Sequence, residues 1–282
     1  MKVLLSLLLT QFALIAAEPT DFIRVVEDEK QAQLQTSITT YRKGDTSITL
    51  IGAIHIADED YFQALNKEFT KYPVLLFELI GGENAAKTLN GKPREKEEAA
   101  DGRPAEGLRG LYGSFASTMQ LAEQIDLIDY TKENFVHADL TMAEYQKLTE
   151  GKSDEVLAFA LQTSVKGSEI SGKPFGGMDM GLVMRAILSG DSTGLKLQYM
   201  TLMEQGDEST AALTGKNLVI SDRNDKCFAV LAEQRKKGAQ KIGIFYGAAH
   251  FPDMERRLLA DGFEQVQHDW LTAWHVKKPA KQ

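Results

Sequence analysis

The chain has 282 residues, with 32 basic side chains against 40 acidic ones and a formal net charge of −8 at neutral pH. That balance argues against nucleic acid or an anionic lipid surface as partner, since both call for a basic footprint. It leaves neutral and cationic ligands open. Cys227 is the only cysteine, so no internal disulfide can form and the fold must rest on core packing.

The amino terminus reads as a secretory signal. Lys2 supplies the positive start and Val3–Ile15 an apolar run too short to span a bilayer. Ala16-Ala17 provides small residues for a cut ahead of Glu18. The expectation is therefore a signal peptide over 1–17, export to the periplasm or the medium, and no membrane span after cleavage. The remaining chain, about 265 residues, fits one α/β domain over 18–276.

Residues 18–33 are polar and read as a lead-in. Leu34–Tyr41 and Thr46–Ile51 are rich in β-branched residues and flank the turn Lys43-Gly44-Asp45, which predicts a β-hairpin. Asp58 stands where a helix cap belongs. The helix behind it, ending near Phe69, carries the apolar stripe Tyr61, Phe62, Leu65 and Phe69. Val74–Leu79 is a continuous apolar run fit for a buried strand, with Glu78 near its end. Residues 81–106 have almost no apolar side chains after Leu89 and read as a long mobile loop that contributes nothing to a core.

Leu108–Leu127 returns to helical spacing, and Ile128–Leu140 reads as strand and turn. Thr141 with Glu144 forms a capping box that starts another helix. Asp154–Val165, Met180–Leu188 and Gly194–Met203 are further helical stretches. Asn217–Lys237 reads as one helix, with Arg223-Asn224 near its start. The strand Lys241–Tyr246, a helix Pro252–Ala260 and a strand Gln265–Val276 follow, with a disordered tail over 277–282. The fold class is thus α/β: a mixed central sheet flanked by helices, with a helical middle insertion.

One tetrapeptide pattern recurs. Gly52-Ala53-Ile54-His55 returns as Gly247-Ala248-Ala249-His250, each behind an apolar strand, ahead of a helix and with an aspartate three residues on, Asp58 and Asp253. A histidine at the carboxyl end of a strand lies where open α/β sheets bind ligands. Glycine three residues earlier lets the backbone turn and leaves room beside the strand end. Neutral imidazole serves either as a metal ligand or as an acid–base group. Glu78 is costly to bury without a partner and would act as ligand or general base.

Asp58 and Asp253 stand where helix caps belong, and capping alone explains them; a ligand or supporting role beside the histidines is the other reading. His137-Ala138-Asp139 is a third polar cluster, read as an exposed turn or an added ligand. Arg223 reads as a structural ion pair or as a group that orients substrate or takes up oxyanion charge. His268 and His275 read as surface or packed residues, and Cys227 as a buried structural thiol.

Two GxxH motifs, the glutamate in Phe77-Glu78-Leu79, Arg223-Asn224 in a late helix, and the stretch ending in Asn134–Leu140 together resemble the TraB/PrgY/GumN family, which includes the Tiki proteins. The likeness runs over residues 35–276. It implies a fold related to the erythromycin esterase-like and haem-binding ChaN-like proteins. It also implies an exported metal-dependent hydrolase acting on a peptide bond. His55, His250 and Glu78 would then hold a divalent metal, with Glu78 and Arg223 as the catalytic groups. The partner would be a peptide or other small-molecule substrate. Two alternatives stand beside it: a non-catalytic protein binding a peptide or haem in the same crevice, and a metal-free esterase using histidine and glutamate.

Overall fold

The structure is a computed structural model that describes residues 20–92, 107–150, 179–212 and 220–279. The expected signal peptide, the helix expected over Asp154–Val165 and most of the charged stretch 81–106 lie outside the described residues.

A seven-stranded mixed sheet forms the centre. Strands β1 (Ile23–Glu27) and β2 (Gln31–Lys43) pair antiparallel, and β3 (Thr46–Ala53) returns on β2 with Lys43 opposite Thr46. The hairpin is the expected one, and its turn needs Gly44, whose φ is 57°. The lead-in expected over 18–33 is partly this sheet: Val25 and Val26 put β1 on β2 in register.

The sheet then turns parallel. β3, β8 (Lys241–Gly247), β5 (Val74–Phe77) and β7 (Phe135–His137) lie side by side in that order. The last strand, β9 (Glu264–Lys277), runs antiparallel along the opposite edge of β2.

Alternation along each strand builds two cores, one per face. Ile51, Leu75, Phe77 and Phe245 face the first; Ile48, Leu50, Leu76, Ile244 and Tyr246 face the second. Helix α1 (Glu59–Phe69) covers the first core with Tyr61, Phe62, Leu65 and Phe69, the stripe expected from spacing. Beyond the 3₁₀ turn Gly82–Asn84 come α2 (Ala85–Thr88) and α3 (Gly107–Met119). The two-stranded piece β4 (Ile56–Ala57) with β6 (Ala122–Glu123) leads into α4 (Gln124–Leu127). Helix α5 (Met142–Thr149) starts on the expected capping box, both bonds of which are present. Helices α6 (Met180–Ser189) and α7 (Thr193–Ala212) complete that side. Helices α8 (Ser221–Lys236) and α9 (Phe251–Ala260) cover the second core with Cys227, Leu231, Phe251, Met254 and Leu258.

Two expectations need correction. The front of the charged loop is ordered: Ala85 and Leu89 are buried in the first core, so this segment does contribute to packing. The helix expected over Leu108–Leu127 ends at Met119, because Gln120 takes a positive φ of 54°. The chain then enters β6 and the short α4. Among the described residues no helix is long and apolar enough to cross a membrane.

Candidate functional site

Parallel pairing of β3, β8, β5 and β7 brings four carboxyl ends to one edge. Each end carries polar residues: His55 after β3, His250 after β8, Glu78 after β5, and His137 to Asp139 at and beyond the end of β7. Helix α8 lies against the second core and puts Arg223 and Asn224 of its first turn into the same place.

Arg223 is the hub. Its Nη2 donates to Glu78 Oε1 at 2.5 Å and to Asp139 Oδ2 at 2.6 Å, and its Nε donates to Asp139 Oδ1 at 3.0 Å. The side chains are only 10% exposed for Arg223, 8% for Glu78 and 0% for Asp139. Glu78 Oε2 accepts from the Gly247 backbone N–H at 2.5 Å. Burial alone would raise the Glu78 carboxyl. Arg223, then His250 and His55, and the Gly247 N–H outweigh it and hold the group well below the usual carboxylate range. Two carboxylates against one guanidinium leave this cluster with an excess negative charge. Arg223 has three of its five N–H groups committed to carboxylates, so only those of Nη1 are left for other partners.

His250 is buried beside the cluster. Its Nε2 lies 3.7 Å from Glu78 Oε1 and 3.5 Å from Arg223 Nη1, and its Nδ1 lies 2.7 Å from Asn224 Oδ1. Burial, opposed by Glu78, lowers its pKa to about 4, so the ring is neutral at physiological pH.

His55 sits differently. It is exposed, and its Nδ1 lies 3.1 Å from Oε1 of Gln124 on α4, whose Nε2 donates to the Tyr130 hydroxyl at 2.9 Å. The two histidines are therefore held from opposite layers over neighbouring strand ends.

The repeated glycines provide room rather than a sharp turn. Gly247 has a φ of −51°, and a Cβ there would come within 3.2 Å of Glu78 Oε2; one on Gly52 would come within 3.1 Å of the Ser37 carbonyl oxygen. The units also diverge after the histidine. In the first, β4 intervenes before α1 begins at Glu59; in the second, α9 begins directly at Phe251.

Glu78, Arg223 and His250 are brought into contact, with His55 close by. Asp139, read as part of an exposed turn or an added ligand, is a fully buried member of the cluster. Its signal was a carboxylate directly ahead of a buried leucine at a strand end. Neither repeated aspartate caps a helix. Asp58 occupies the cap position without a side-chain bond to the helix and accepts from the His275 backbone N–H at 2.7 Å. Asp253 is buried inside α9, where it accepts from Asn224 and pairs with Arg256 and Arg257. His268 and His275 bond to Thr39 and Gln31 away from the cluster, and Cys227 is buried.

A resident divalent ion calls for three or more protein donors in most catalytic sites. Among the described residues no group of three or more His, Cys, Asp or Glu stands close enough to hold one. Between the two donors that do meet, Glu78 and His250, the Arg223 guanidinium takes the position of a shared cation. As they stand, these donors do not fit a resident metal. Comparison with family models, with curated proteins and with solved structures finds no match for this chain.

Proposed function

We propose that this chain is an exported hydrolase of the TraB/Tiki type, with a peptide bond as the favoured target and an ester as the close alternative. The observation that carries the reading is the meeting of Glu78, Arg223 and His250, from three distant segments, at the carboxyl edge of the parallel strands beside His55.

In this reading His250 is the base. Its neutral ring takes a proton from water through Nε2 as the water oxygen attacks the acyl carbon. The neighbouring Glu78 carboxylate stabilises the imidazolium that forms. The tetrahedral intermediate collapses as the C–N or C–O bond breaks and the imidazolium returns its proton to the leaving group. Glu78 is the weaker base of the two, because Arg223 and the Gly247 N–H stabilise its ionised form. Arg223 sets the charge of the site, and its Nη1 stands beside His250 Nε2. His55, exposed on the other side, orients the acyl oxygen or the leaving group. No step runs through a metal.

The test is turnover by residues 18–282 of a panel of peptides and esters, with and without a chelator, together with metal analysis of the purified protein. Chelator-insensitive hydrolysis that is lost in His250→Ala supports the reading. Hydrolysis abolished by chelator and restored by a divalent ion replaces it with the metal-dependent form. Binding of peptides or haem without turnover replaces it with a binding protein.

A further inference from the structure

Arg223 and Asn224 are consecutive, so on a helix they point about 100° apart and serve different partners. Arg223 goes to the carboxylates. Asn224 goes to His250, and its amide is fully committed. Nδ2 donates to the His250 backbone oxygen at 3.2 Å and to Asp253 Oδ2 at 2.8 Å. Neither of those atoms can donate: one is a carbonyl, and the other is a carboxylate oxygen that also pairs with Arg257 Nε at 2.7 Å. The amide orientation is therefore fixed, and Oδ1 is the atom that faces His250 Nδ1 at 2.7 Å.

We infer that Asn224, anchored by Asp253, is a positioning residue that holds His250 in its Nδ1–H tautomer, so that Nε2 is the proton-accepting atom turned toward Glu78 and Arg223. Two acceptors cannot share a 2.7 Å contact, so Nδ1 must carry the proton. The other face of the ring agrees: Arg223 Nη1, a donor, stands 3.5 Å from Nε2. The arrangement also accounts for the aspartate three residues beyond the histidine in the second unit. One helical turn places Asp253 behind Asn224, whereas Asp58 in the first unit is spent on the β9 backbone.

This inference deepens the hydrolase reading and rests on it for its catalytic meaning, but the tautomer is measurable without any substrate. The experiment is a long-range ¹H–¹⁵N correlation spectrum of ¹⁵N-histidine-labelled residues 18–282 at pH 7, with His250 assigned by His250→Gln. The expected pattern is a protonated Nδ1 and a bare Nε2. Asn224→Leu removes the acceptor, shifts the ring toward Nε2–H and lowers kcat about 100-fold, with KM changed less than about threefold. The exchange Asn224→Asp with Asp253→Asn swaps amide and carboxylate, keeps an acceptor on Nδ1, and restores the Nδ1–H pattern and most of kcat. A wild-type His250 protonated on Nε2, or an Asn224→Leu ring still protonated on Nδ1, overturns the inference. The expected tautomer in a protein that turns over no peptide or ester leaves the positioning role standing and removes the hydrolase reading alone.

Discussion

Replacing Arg223 by methionine tests the charge arrangement most directly. The substitution keeps much of the side-chain volume and removes the one guanidinium that faces two carboxylates, Glu78 and Asp139, whose side chains are 8% and 0% exposed. Breaking a buried ion pair from one side costs about 3–5 kcal/mol, because the remaining charge is left unpaired. For a domain of this size that corresponds to a fall in Tm of roughly 6–20 °C. The loss must also depend on pH. Unpaired buried carboxyls take up protons more readily than exposed ones, so the deficit shrinks as the pH is lowered from 7 toward 4. Urea unfolding of both proteins at several pH values measures this. Arg235→Met is the control, since its partner Asp261 is 49% exposed and such a pair contributes about 0–1 kcal/mol. An Arg223→Met variant within about 0.5 kcal/mol of the parent at pH 7, or a deficit constant from pH 7 to 4, would refute the reasoning.

His250 supplies a second pH effect. Its folded pKa of about 4 lies below the ordinary value of 6.5, so the unfolded chain binds more protons between the two. Stability from this group is present above about pH 6.5 and is lost as the pH falls toward 4. It amounts to about 3 kcal/mol and is absent from His250→Gln in denaturant melts across that window. His55→Ala changes stability by less than about 0.5 kcal/mol, since the side chain is exposed, yet abolishes turnover. His250→Ala also abolishes turnover but costs about 1–3 kcal/mol, because Asn224 Oδ1 loses its donor in a buried setting. Leu89→Ala lowers stability by about 2–3 kcal/mol in thermal melts, because its side chain packs in the first core.

Patterns confined to one element were legible in the sequence. The stripe Tyr61, Phe62, Leu65 and Phe69 needs only helical spacing, the Thr141–Glu144 box needs only four residues, and Val74 to Phe77 needs only an unbroken apolar run. Glu78 was legible because it breaks an apolar run and His250 because its motif repeats; Arg223 stood open between an ion pair and a substrate-facing group, and joined them only through the family resemblance. What could not be read depended on partners far away in the chain. Asp139 looks like a turn residue until Arg223, 84 positions later, is placed against it. Asp58 and Asp253 look like caps because the competing donors, the His275 backbone and Asn224, are invisible locally. Gln120 carries no glycine to announce its positive φ, so the break after α3 has no local signal. The buried Ala85 and Leu89 sit at the border of a charged stretch whose average composition hides them.

The pairing of β9 with β2 carries a consequence for how the chain reaches its native state. Residues 31–42 find their partners among 264–277, and Lys278 donates its backbone N–H to Lys30, so the sheet closes only once residues 264–278 are available. Until then β2 presents an open edge, the kind of surface that templates association between chains. Contacts this distant in sequence also make folding slow. A chain emerging from the ribosome cannot complete this domain early. A stop codon anywhere before β9 would therefore yield not a slightly trimmed protein but an aggregation-prone chain with one edge of β2 open along nearly its full length.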